Sequence, residues 1–282
     1  MLRPIALLFC LALLFTQPLY AQTSNPLEQL RSNNIAKVET EYSALQKRFE
    51  MGEVSEYDLL DAYKAFYQRD DQYRLELDSW IKNYPNSASA YLARGVYYRK
   101  LGEFTRGTNY ISQVPRENIA YMEKMFAVSK QDLATSLRIN PKAYLAILHL
   151  LNIAQFEGDD RAADKYLTLG NAVLPSNFIL RARYLVHLAP KGGGSYQRME
   201  KFIEQCRAQG LTQDKIDMLN AIKADDHGTV AEERGNVDQA QSEFKKALVL
   251  ARAAGKRFRQ DYLSNSAQIC GESQHSRKDY CL

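Results

Sequence analysis

From Leu27 to Phe49 the apolar residues Leu30, Ile35, Val38, Tyr42 and Leu45 recur at steps mostly of three and four, the spacing that gathers side chains on one face of an α-helix. The pattern predicts one long amphipathic helix with Gly52 as its stop signal. Ser55 then reads as a helix cap ahead of Glu56 and Asp58, with Leu59, Leu60, Tyr63, Phe66 and Tyr67 on the buried face of a second helix. Tyr73, Leu77, Trp80, Ile81 and Tyr84 predict a third, ended by Pro85. Further helices follow over 142–156, 161–173, 177–188, 196–208, 213–233 and 237–254, separated by turn signals such as Glu157-Gly158-Asp159 and Gly235-Asn236. A last one contains Phe258, Tyr262 and Leu263. Strand-like alternation is nearly absent, so the fold expected is all-α.

Two segments carry more than periodicity. After Pro85-Asn86-Ser87 stands Tyr91-x2-Arg94-Gly95-x2-Tyr98, and near the end stands Ala240-x3-Phe244-x2-Ala247. The small residues allow two helices to approach closely, and Phe244 fills the space between them. With Pro141 and Pro175 closing successive units about 34 residues apart, residues 85–254 resemble the tetratricopeptide-repeat superfamily. The match is uneven: the last unit has Ala224, His227 and Ala231 where an aromatic residue, a leucine and a tyrosine are usual. Leu101-Gly102 is expected to end the Tyr91 helix, with residues 111–117 as an inserted loop and helix resuming from 118 to 138. The run Pro190-Lys191-Gly192-Gly193-Gly194-Ser195 also resembles a P-R-W-G-G-S motif in a bacterial tetratricopeptide-like family of unknown function. Lys191 and Gly192 replace its arginine and tryptophan.

The resemblance implies a right-handed solenoid of helical hairpins over 85–254, preceded by an N-terminal helical region (22–84) and followed by a capping helix and tail (255–282). Stacks of this kind usually bind other proteins, with the first helix of each hairpin lining the concave surface. Extrapolating along those helices gives Arg99, Asn152, Gln155 and Arg183, a mildly basic set suited to an acidic or extended peptide.

The first residues change the expected compartment. Arg3 followed by an apolar run from Ile5 to Phe15, and Leu19-Tyr20-Ala21 before Gln22, read as a secretory leader over residues 1–21 that is cleaved after Ala21. Periplasmic or secreted localisation follows. Of 37 basic and 33 acidic residues in the whole chain, the leader removes one basic residue. The remaining excess is too small and too interspersed to suggest nucleic acid or a membrane surface. Outside the leader stand Cys206, Cys270 and Cys281. An oxidising compartment favours a Cys270–Cys281 disulfide closing a short tail, which contributes about 2–3 kcal/mol on the chain-entropy model, while Cys206 reads as a buried thiol in a helix.

Gly193, Gly194 and Ser195 have two readings, an anion-binding nest at a helix N-terminus and a hairpin turn with Ser195 as N-cap. The absence of a G-K-[ST] ending favours the turn. Asp225-Asp226-His227, with Glu233 further along, has a metal-like composition but lacks the convergent spacing that metals need, so no metal and no cofactor are expected. No nucleophile elbow, H-E-x-x-H, C-x-x-C or dinucleotide fingerprint is present. The expected function is therefore non-enzymatic protein–protein interaction in the cell envelope, as scaffold, adaptor or immunity-type inhibitor. The alternative is an envelope hydrolase or glycan-binding enzyme with a polar cleft near Ser195 or His227. Intact-mass measurement of the mature protein should give a chain beginning at Gln22 that loses two hydrogens on oxidation, with peptide mapping joining Cys270 to Cys281; a linkage to Cys206 overturns the pairing.

Overall fold

The computed structural model describes residues 25–107, 111–252 and 262–263, and within them every regular element is helical. The leader, Cys270, Cys281 and most of the expected capping helix lie outside the described residues. No described helix is long and apolar enough to cross a membrane.

The first predicted helix is two. Helices α1 (Pro26–Arg31) and α2 (Ile35–Glu50) are separated at Asn33, whose φ is +61°. Ser32-Asn33-Asn34 are weak helix formers, and the Asn34 N–H donates to the Gln29 carbonyl at 2.8 Å, the capping bond of a chain leaving an α-helix. Helix α3 (Glu56–Tyr63) is capped by Ser55, which accepts from the Asp58 N–H at 3.2 Å, and continues as a 3₁₀ turn through Phe66. Helix α4 (Arg74–Asn83) stops before Pro85 as expected.

Four hairpins follow: α5 (Ala88–Arg106) with α6 (Arg116–Ile139), α7 (Tyr144–Glu157) with α8 (Asp160–Val173), α9 (Ile179–His187) with α10 (Tyr196–Ala208), and α11 (Gln213–Glu233) with α12 (Val237–Leu250). Helix α5 does not end at Gly102. It runs one turn further because Gly102 is buried against the Phe126 ring of α6, where a Cβ would sit 3.1 Å from ring carbons. Glycine there serves helix approach, and the chain turns instead at Gly107 with φ +71°. Helix α6 begins at Arg116, two residues before the expected start, and the inserted segment carries a 3₁₀ turn over residues 111–113. Gly95 follows the same rule as Gly102: a Cβ would lie 2.8 Å from the Leu133 side chain, and Ser129 Oγ donates to the Gly95 carbonyl at 2.6 Å. In the last hairpin Phe244, Ala240 and Ala247 are all buried, as their pattern predicts.

The first helices pack in series, α5 on α7, α7 on α9 and α9 on α11. One apolar core continues from Leu27 to Leu180, and a second joins α9, α10 and α11. The N-terminal helices lie against the first helices: the Phe49 and Tyr144 rings stack at 5.6 Å, and Gln46 Nε2 donates to the Lys142 carbonyl at 3.2 Å.

The decisive contact in this arrangement is made by Glu56. Helix α9 has no side-chain cap of its own. The buried Glu56 carboxylate supplies one from α3, accepting from the Phe178 N–H at 2.7 Å, the Ile179 N–H at 3.1 Å and the Tyr144 hydroxyl at 2.7 Å. An anion at a helix N-terminus satisfies free N–H groups and complements the dipole. Glu56→Gln should destabilise the protein by about 2–3 kcal/mol, because the amide turns a donor toward groups that need an acceptor. Urea unfolding would measure this, and Ser55→Ala, which removes only a local cap, should cost about 1 kcal/mol.

Candidate functional site

Helices α5, α7 and α9 bring three of the four expected binding residues into one cluster beside the 3₁₀ turn that ends in Phe66. Arg99 lies on α5, Gln155 on α7 and Arg183 on α9, and Gln155 Nε2 donates to the Arg183 carbonyl at 3.0 Å. Asn152 is half-buried, one turn beyond His149 on α7. Arg183 is exposed, with its guanidinium 5.5 Å from the Tyr262 ring centre.

Arg99 is not the exposed groove residue that the repeat register implies. It is only 3% exposed, and its Nη1 lies 2.9 Å from Glu103 Oε2. The 3₁₀ turn after α3 packs on α5, and Tyr67 lies over the neighbouring Lys100. Arg99 is itself buried and ion-paired, so the small stability effect expected of a surface arginine does not apply here.

Four further residues complete the cluster. Lys100 Nζ is 2.8 Å from Glu103 Oε2 and 4.4 Å from the centre of the Tyr67 ring, a cation–π arrangement. The same Tyr67 ring meets His149 edge-on at 6.2 Å. His149 is fully buried, and neither ring nitrogen has a hydrogen-bond partner. The sequence carried signals for three of these. Lys100 adjoins Arg99, and His149 is the lone polar residue in the otherwise apolar run from Leu145 to Leu151. Glu103 was legible too, as the i+4 partner of Arg99 and the i+3 partner of Lys100 on one helix, whereas Tyr67 had no signal, because only the fold brings it to Lys100 and His149.

Electrostatics agree with geometry. Burial, followed by Arg99, lowers the Lys100 ammonium to a pKa of about 8. Burial tends to raise Glu103, yet Arg99 and Lys100 outweigh it and hold the carboxyl below its usual range. His149 is driven well below 6.5 by burial, then by Arg99, Lys100 and Arg183. Three cations thus surround one carboxylate and one neutral imidazole. The cluster carries a net positive charge.

The glycine turn lacks the donors that an anion nest requires. The N–H groups of Gly192, Gly193 and Gly194 donate to Ala189, Pro190 and Ala189 carbonyls at 2.9, 3.0 and 3.1 Å. Ser195 caps α10 by accepting from the Arg198 N–H at 3.2 Å, which is the turn reading. A side chain at Gly194 would collide with the Leu188 carbonyl, which accounts for glycine there.

The acidic–histidine group does not converge. His227 lines a cavity of about 470 Å³ with Tyr196, Arg234, Asn236 and Gln239. Asp225 is buried elsewhere, Glu233 is exposed, and Asp226, raised by burial, adjoins Tyr196 without lining the cavity. Among the described residues no three His, Cys, Asp or Glu side chains gather as a metal site. Cys206 is a buried thiol whose pKa burial raises to about 11, which makes it a poor nucleophile at neutral pH.

No protein-family model matches this sequence, and no curated protein matches it. Functional inference rests on the cluster itself.

Buried His149 also marks the cluster in solution. The unfolded chain binds a proton near pH 6.5 and the folded chain does so only far lower, so stability is lost as pH falls through 6.5. Between pH 7.0 and 5.5 one such histidine removes about 1.2 kcal/mol. His227, also lowered by burial, contributes in the same window. Urea titrations at the two pH values should show His149→Leu losing about that much less stability than the wild type.

Proposed function

We propose that this chain is a non-enzymatic, exported, tetratricopeptide-like binding protein that engages an acidic segment of another protein in the cell envelope. The observation that carries the reading is the gathering of Arg99, Lys100 and Arg183, from two first helices, around the single carboxylate Glu103. Serial packing of α5, α7, α9 and α11 supports the repeat-like architecture, since first helices that pack in series form the inner wall of such a stack.

The N-terminal helices occupy part of the first-helix face, so an incoming segment meets it where Arg183, Gln155 and Lys100 border the covered region. Arg183 is the exposed charge with which a partner makes its first contact, and Lys100 stands behind it, half-buried. Attraction of this kind raises both encounter rate and specificity. A scaffold and an inhibitor of a secreted protein would use the same face, and the gene beside this one would separate the two.

The test uses Arg183→Glu on the full-length mature protein. It should retain wild-type stability within about 0.5 kcal/mol and recover at least about tenfold less of a partner that the wild type enriches from the exported fraction, a loss of about 1.4 kcal/mol. Unchanged recovery overturns the assignment of this face.

A further inference from the structure

Three buried nitrogens in the cluster lack hydrogen-bond partners, Arg99 Nε and the two ring nitrogens of His149, and Glu103 Oε2 is held by its ion pairs to Arg99 and Lys100 alone. Buried polar groups in native proteins are nearly always satisfied, by protein, water or ligand. Arg99 is 3% exposed and His149 is fully buried, so bulk solvent does not reach them.

Charge and position both favour an anion as the missing partner. Arg99 and Lys100, whose side chains are largely buried, exceed the one carboxylate they share, and Arg183 adds a further charge at the surface; excess positive charge away from solvent attracts negative charge more strongly than at the surface. His149 stays neutral at physiological pH, yet a neutral imidazole offers one N–H donor in either tautomer. The donors come from two helices and are gathered by one ring: Tyr67 meets His149 edge-on and carries Lys100 over its face.

We infer that Arg99, Lys100 and His149 form a compact oxyanion site that takes a phosphate or carboxylate group, beneath the exposed rim formed by Arg183 and Gln155. Guanidinium, ammonium and imidazole N–H groups suit a small oxyanion because its several oxygens accept from donors arriving in different directions. The site shares residues with the proposed binding face but needs no protein partner. Failure to bind small anions leaves the protein-binding reading standing, and failure to capture a partner leaves this site standing.

The experiment follows the histidine ring signals of the ¹⁵N-labelled mature protein by NMR at pH 7, with His149→Leu identifying the His149 pair. Sodium phosphate and sodium acetate are titrated in separate arms at constant ionic strength against sodium chloride. The expected result is a saturable shift of the His149 signals in the phosphate arm, the acetate arm or both, and none with chloride. Saturation at lower concentration by phosphate identifies a phosphate group as the preferred ligand, and the reverse identifies a carboxylate. Lys100→Gln should raise the half-saturating concentration at least about tenfold. Arg183→Gln, at an exposed position that carries little risk to folding, should raise it about threefold through the lost charge. His149 signals that respond to phosphate and acetate no more than to chloride would mean that water alone satisfies these atoms, and the inference fails. Equal affinity in Arg183→Gln and a folded Lys100→Gln would also overturn it.

Discussion

The carboxylate of Glu56 holds together two parts of the chain that are 122 residues apart. It sits at the start of α3 and caps α9, whose own sequence provides no capping side chain, while the Tyr144 hydroxyl of α7 donates to it from the side. Burying a carboxylate is costly unless its oxygens are satisfied. Here three donors satisfy it, two of them N–H groups at a helix terminus. These bonds are directional, so they favour one placement of α3 against α7 and α9. With α3 so placed, the following 3₁₀ turn brings Phe66 into the core and Tyr67 over Lys100 and beside His149.

The basic cluster thus depends on the N-terminal helices in two ways. They desolvate it, which depresses Lys100 and His149, and they supply the aromatic ring that organises its donors. Arg94 on the same helix offers a contrast. Arg94 is also half-buried among helices, but it is fully matched, forming two 2.8 Å bonds to Asp132 and one 2.8 Å bond to Asp78. That network ties α4, α5 and α6 together and leaves nothing over for a ligand. One turn and a half further along α5, Arg99 and Lys100 share one carboxylate and leave polar atoms unmet. Unmet buried polar atoms also occur elsewhere, Arg181 Nε among them; what sets the α5 cluster apart is that two cations share one carboxylate beside an imidazole with neither nitrogen bonded.

The sequence by itself determined the helical class, the approximate limits of most helices and the close approach at Gly95 and in the Phe244 hairpin. These depend on local quantities: periodicity of three to four, prolines and glycines at turns, and small residues facing large ones. It also placed Arg99, Gln155 and Arg183 on first helices, and these do share one region. Tertiary structure decided the rest. The break at Asn33 rests on a left-handed residue between two patterns that each fit a helix, and Gly102 serves packing although glycine also signals a helix end. Above all, the burial of Arg99 and the meeting of Tyr67 and His149 with the Arg99, Lys100 and Glu103 group come from packing between distant elements that no pattern of spacing encodes. Local pattern fixes which face of a helix turns inward. What meets that face is set by contacts between residues far apart in the chain, because such contacts form only when the whole core closes.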